Sequence, residues 1–181
     1  MGHLKTRGWT PASSKGEVEG VWKGAVGRQF GAALEMLENA VRACPDKLWG
    51  DRGRRPEFWY VVYHTLFYLD LYLHGSTEGF APPEPFTLDE LDPAGRLPER
   101  VYTKDELLAY LLRCREKCRA VVAALTDETA RARRVFEWVE LDACELLLYN
   151  LRHVQHHAAQ LNLLLRQETD DAPRWVASAM D

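Results

Sequence analysis

The chain has 181 residues, 46% of them hydrophobic and 28% charged, with a net charge of −4. That length suits one domain over residues 1–181 with a real core, and the acidic balance gives no footprint for a nucleic-acid or anionic-membrane partner. No apolar run approaches the ~18–20 residues that span a bilayer, and Met1 to Trp9 lacks the apolar core of a secretory signal, so a cytoplasmic protein is expected.

Residues 1–20 show little periodicity and read as an irregular lead-in. From Val21 to Cys44 the apolar positions Trp22, Val26, Phe30, Ala33, Leu34, Leu37 and Val41 recur with helical period and predict the first helix. Gly24, Gly27 and Gly31 weaken it by up to ~1 kcal/mol each relative to alanine, or else permit close approach of another helix. Pro45 ends it, and residues 45–55 form a charged loop. Pro56 fits the first turn of a second helix, Glu57 to Leu73, closed by Gly75. Aromatic and β-branched residues there favour a strand, but the length of the run favours a helix. That helix is apolar nearly all round, so it belongs at the centre of the fold or at a subunit contact, and a homodimer is expected.

Residues 75–102 hold five prolines (Pro82, Pro83, Pro85, Pro93 and Pro98) and no strong periodicity. A connection this long inside a compact domain usually lines a site or covers a surface, which makes it the candidate lid or pocket wall. Thr103-Lys104-Asp105-Glu106 is a capping box opening the third helix. The apolar stripe of that helix is Leu107, Leu108, Leu111, Leu112, Cys118, Val121, Val122 and Leu125. The four cysteines, Cys44, Cys114, Cys118 and Cys144, are too scattered for a disulfide scaffold. Cys114 and Cys118, spaced i, i+4, can in principle join a metal site; the plainer reading is two semi-buried thiols.

Thr126 to Glu140 is mixed, with Arg131, Arg133 and Arg134 in a small basic patch, and predicts a short helix followed by an extended segment. Asp142-Ala143-Cys144-Glu145 fits a second capping box, opening a fourth helix that continues to Gln167. After it a loosely docked tail is expected, with one Pro173-Arg174-Trp175 island. These elements predict an all-α four-helix bundle, with a core over about residues 22–167 and a long crossover between helices two and three.

Three of the six histidines fall on the fourth helix, at His153, His156 and His157. His153 and His157 lie one turn apart and about 40° apart around the axis, where two imidazoles can grip one metal ion. His64 is the one histidine inside the apolar run of helix two and can supply a third ligand, flanked by Tyr60 and Tyr68 one turn either side. Three nitrogen ligands with an open position describe a catalytic-type rather than a closed structural site. A histidine on an apolar face also serves as a hydrogen-bonded core residue, and that alternative stands beside ligation for all three. His156 fits a surface or supporting role better than ligation, and His74 and His3 fit none.

The last-helix sequence His153-Val154-Gln155-His156-His157-Ala158-Ala159-Gln160 resembles the pattern H-x-x-H-H-R-G-Q of the DinB/YfiT-like family of bundle metalloproteins. Ala158 and Ala159 replace the usual Arg-Gly. The resemblance runs in element order over about residues 22–167 and implies a histidine ligand on the second helix and an H-x-x-x-H pair on the last. That gives His64, His153 and His157 as the expected metal ligands. It also implies that some members use low-molecular-weight thiols.

A three-histidine site suits zinc or nickel, and ligand type does not choose between them. The ion would activate either a water, giving a hydrolase, or a thiolate, giving a thiol transferase. The substrate expected is a small molecule. Tyr60, Tyr68 and Tyr149 lie on or near the metal face as candidates to position substrate or donate a proton, against the plainer reading of core packing. Asn150 and Gln160 are candidates to orient the imidazoles. The competing function is a non-catalytic, stress-related interaction module in which a metal only staples the bundle. A metal-free bundle with core histidines is the third reading.

Overall fold

A computed structural model describes residues 15–95 and 97–179 of the chain. Among the described residues four long helices form the frame: α1 (Lys15–Ala43), α3 (Phe58–His74), α4 (Lys104–Ala124) and α6 (Ala143–Thr169). Between them lie the single turns α2 (Asp46–Trp49) and α5 (Asp127–Ala130) and a hairpin of β1 (Arg133–Phe136) and β2 (Val139–Asp142). Helix α1 packs on α4 and α6, and α3 packs on the same two, so α1 and α3 lie on one diagonal of the bundle. The all-α bundle with a long crossover between its second and third long helices is therefore the fold.

Local chemistry explains most boundaries. Helix α1 starts at Lys15, inside the expected lead-in, and the rest of that lead-in, His3 included, lies outside the described residues. Helix α3 starts one residue later than expected, and Pro56 lies ahead of its cap rather than in its first turn. The cap, Glu57, is extended, and its buried carboxylate accepts from Trp59 Nε1 at 2.7 Å and Arg55 Nη1 at 2.9 Å. Gly75, at φ 88°, ends the helix in the left-handed conformation that glycine adopts without penalty. The Thr103–Glu106 capping box forms in full; at α6 the Asp142 carboxylate accepts from the Glu145 N–H.

Thirteen of the 17 residues of α3 are buried within the one chain, so its all-round apolarity asks for no subunit contact. The crossover makes this possible: Phe80, Phe86 and Tyr102 enter the core, and Phe86 stacks on Tyr110 with ring centroids 4.6 Å apart. On α4 the buried stripe runs through Leu107, Tyr110, Leu111, Cys114, Cys118 and Val122, while Leu112, expected inside, is exposed. The i, i+3, i+4 stripe that starts at Leu107 takes Tyr110 and Leu111 and so turns Leu112 outward.

The extended segment expected after α5 closes into an antiparallel hairpin, Arg133 opposite Asp142 and Phe136 opposite Val139, where no sheet was expected. Strands of four residues are too short for a readable period; what holds this one is Phe136, buried edge-on to Tyr72 at 5.3 Å. The C-terminal tail docks on α1. Ala179 N donates to Arg28 O at 3.2 Å, and Gln29 Nε2 donates to Ala177 O at 3.0 Å. A Cβ on Gly31 would lie 2.6 Å from the Ala179 Cβ, so this glycine admits the tail rather than another helix.

Candidate metal centre

Helices α3 and α6 meet along a face that carries His64 from one and His153 and His157 from the other. One potential ligand atom from each of the three rings lies within 4.8 Å of the other two. Ring centroids are 5.4 Å apart for His64 and His153, 4.9 Å for His64 and His157, and 4.6 Å for His153 and His157. All three side chains are half-buried. The i, i+4 spacing on α6 brings its pair together, and only the packing of α6 on α3 adds the third ring.

Each imidazole is held differently. His64 Nδ1 bonds Glu90 Oε2 at 2.7 Å. His157 Nδ1 bonds Gln160 Oε1 at 2.7 Å, and Gln160 Nε2 donates to His156 Nε2 at 3.1 Å. A carboxylate and an amide oxygen accept, so both Nδ1 atoms carry a proton. His153 Nδ1 is buried with no hydrogen-bond partner. Leaving such a group unsatisfied costs about 1–3 kcal/mol.

Burial pushes His153 down to about 3, helped by the neighbouring His157, His64 and His156. Burial also pushes His157 down to about 4, against the opposing effect of its bond to Gln160. Both rings are neutral at pH 7, the form that ligates a cation. Three imidazoles, one with an unsatisfied buried nitrogen, fit a borderline divalent cation.

Tyrosines wall the cluster. The rings of Tyr60 and Tyr68 lie 6.1 Å and 4.8 Å from His64, and Tyr68 and Tyr72 lie 5.9 Å and 6.1 Å from His153. Burial raises the pKa of all three phenols, and the Glu90 charge adds to this at Tyr60 and Tyr68, so they remain protonated donors. Tyr149 sits a step back, packed edge-on to Tyr72 at 5.4 Å. Trp138, at the hairpin turn, donates from Nε1 to the Tyr72 hydroxyl at 3.0 Å and meets the Tyr68 ring edge-on.

Several expected neighbours lie elsewhere. Asn150 donates to Leu69 O at 3.1 Å and orients no imidazole. Cys114 and Cys118 are buried on α4 outside the cluster, their pKa values raised by burial, to about 12 for Cys118. His74 bonds the Glu78 carbonyl at the far end of α3. Of the two residues that depart from the family pattern, Ala158 is fully buried and Ala159 exposed, so an arginine at 158 would have no room in this core. Glu90, Tyr72 and Trp138 were not singled out from the sequence. Tyr72 had a legible signal, since 64, 68 and 72 repeat every four residues on one helix face. Glu90 had only its place in the candidate wall.

A helical bundle here gathers three imidazoles from two of its helices, behind an aromatic wall, in a group that can hold a metal ion. A family profile described as DinB superfamily matches residues 29–161, and the chain belongs to that superfamily. The match covers all three histidines and the crossover. Comparison with curated proteins and with solved structures returned no match.

Proposed function

We propose that this protein is a divalent-metal-dependent enzyme acting on a small molecule, a thiol transferase or a hydrolase, with His64, His153 and His157 as the ligands. The observation that supports it best is the convergence of those three rings, with one buried nitrogen left unsatisfied. When bound, zinc or nickel would supply Lewis acidity to a substrate held against it, a thiol among the candidates. Three protein ligands leave room for that substrate.

The chain's own groups would do the rest. Glu90 and Gln160 hold the rings of His64 and His157 by their Nδ1 atoms. Tyr68 donates to the Glu90 carbonyl at 3.2 Å, which fixes its hydroxyl beside the cluster. Tyr60 lies within hydrogen-bond reach of the Glu90 carboxylate and stays protonated. Trp138, 44% exposed, and Tyr68 shield one flank of the cluster from water.

Elemental analysis after purification without chelator tests the reading: about one zinc or nickel per chain is expected, and none in a His153→Ala/His157→Ala double variant. The wild-type chain without metal would sink it. The competing reading draws on the origin of the ligands: α3 and α6 supply all three, so a bound cation would pin one helix to the other. On that reading a chelator lowers the melting temperature strongly, while no member of a thiol and ester panel is turned over. Turnover that disappears with the metal selects the enzyme.

A further inference from the structure

The crossover between α3 and α4 reaches the histidine cluster at the 3₁₀ turn Asp89–Leu91. Glu90 in that turn has a side chain only 4% exposed, and its Oε2 lies 2.7 Å from His64 Nδ1. The same short stretch is pinned by neighbours of His64 on α3. Tyr63 donates to the Thr87 carbonyl at 2.9 Å, and Tyr68 donates to the Glu90 carbonyl at 3.2 Å. A buried carboxylate so placed is held by its surroundings rather than drifting on a loop.

We propose that Glu90 is the positioning residue of this site: it fixes His64 with the proton on Nδ1, leaves the Nε2 lone pair for the cation, and couples the crossover to the centre. The proposal rests on the metal-binding reading above. A neutral imidazole has one N–H and one lone pair, and the acceptor that holds the N–H decides which nitrogen is free to ligate. A carboxylate partner also makes the ring a stronger donor to a metal. The other two ligands lack this. His157 has the neutral amide of Gln160, on its own helix, and His153 Nδ1 has no partner. Among the described residues Glu90 is therefore the charged group that orients a ligand, and it comes from outside the two histidine-bearing helices.

The test compares wild type with Glu90→Gln and Glu90→Ala by zinc titration against a chelating indicator and by ¹⁵N-histidine spectra of the metal-free chains. Zinc affinity is expected to fall about tenfold in the glutamine variant, which keeps an acceptor oxygen, and nearer a hundredfold in the alanine variant. A protected Nδ1–H signal from His64 is expected in wild type and lost in Glu90→Ala, which a merely structural role for Glu90 would not produce. If Glu90→Ala melts far below wild type, the near-isosteric Glu90→Gln provides the comparison. Wild type that binds zinc, with variants binding it within twofold, overturns the inference and leaves the metal reading standing. Wild type that binds no zinc or nickel overturns both.

Discussion

Helix α3 carries two polar clusters, and they are built in opposite ways. Toward α4, the buried Asp70 is fully engaged: its Oδ2 accepts from the Tyr110 hydroxyl at 3.0 Å, its Oδ1 pairs with Lys117, and Lys117 Nζ also reaches the Asp70 carbonyl at 2.9 Å. Toward α6, three imidazoles crowd together, two of them pushed to the neutral form, with one buried nitrogen unpartnered. A satisfied polar network specifies how two helices meet. An unsatisfied one costs stability unless something binds it. The contrast separates a structural cluster from a candidate site on the same helix.

Substitutions on each side should produce opposite phenotypes. The largest effect is expected from the His153→Ala/His157→Ala double variant. Isothermal titration should show zinc affinity falling by more than about a hundredfold, because two of three ligands are gone, while the metal-free chain stays folded. Asp70→Ala should do the reverse. It strands the Tyr110 hydroxyl and the partly exposed Lys117, so urea unfolding should show a loss of about 2–4 kcal/mol with zinc affinity unchanged. If Asp70→Ala also abolished zinc binding, the two clusters would not be separate.

Acid should distinguish the clusters next. His153 and His157 have folded pKa values of about 3 and about 4 against an ordinary 6.5. Between those limits the unfolded chain takes up protons that the folded one refuses. The metal-free protein should therefore be most stable above about pH 6.5 and lose stability steadily as the pH falls toward 4. The double alanine variant should show a flatter profile in urea titrations at stepped pH. A slope that survives the double substitution would place its origin elsewhere.

The smallest effect belongs to the tail. Gly31→Ala gains up to about 1 kcal/mol of helix propensity and displaces Ala179, so the melting temperature should barely move. Carboxypeptidase trimming should nevertheless speed up, because the tail loses its seat on α1. Unchanged trimming would mean that the tail is not held there.

Much of this architecture was legible along the chain. The apolar periods of α1, α4 and α6, the length of the apolar run that is α3, the Thr103 capping box and the αL glycine at Gly75 are local features, and they formed where local chemistry put them. The His153/His157 spacing and the isolated His64 pointed to one cluster, and the fold brings the three rings together. Gln160 beside His157 was legible for the same reason, an i+3 neighbour on one helix. The hairpin, the docking of the tail at Gly31 and the covering of α3 by Phe80, Phe86 and Tyr102 were not. Each depends on partners distant in sequence, and none leaves a period.

By itself, then, the sequence determined the helices, their caps and the three histidines, since all of these follow from spacing within a few turns. Tertiary structure alone decided which polar groups are satisfied. Glu90, in the proline-rich crossover, meets His64 across 26 positions of sequence, and Lys117 meets Asp70 across 47. The nitrogen of His153 left without a partner is equally a property of the packed bundle, because an unmet hydrogen bond exists only where burial has excluded water.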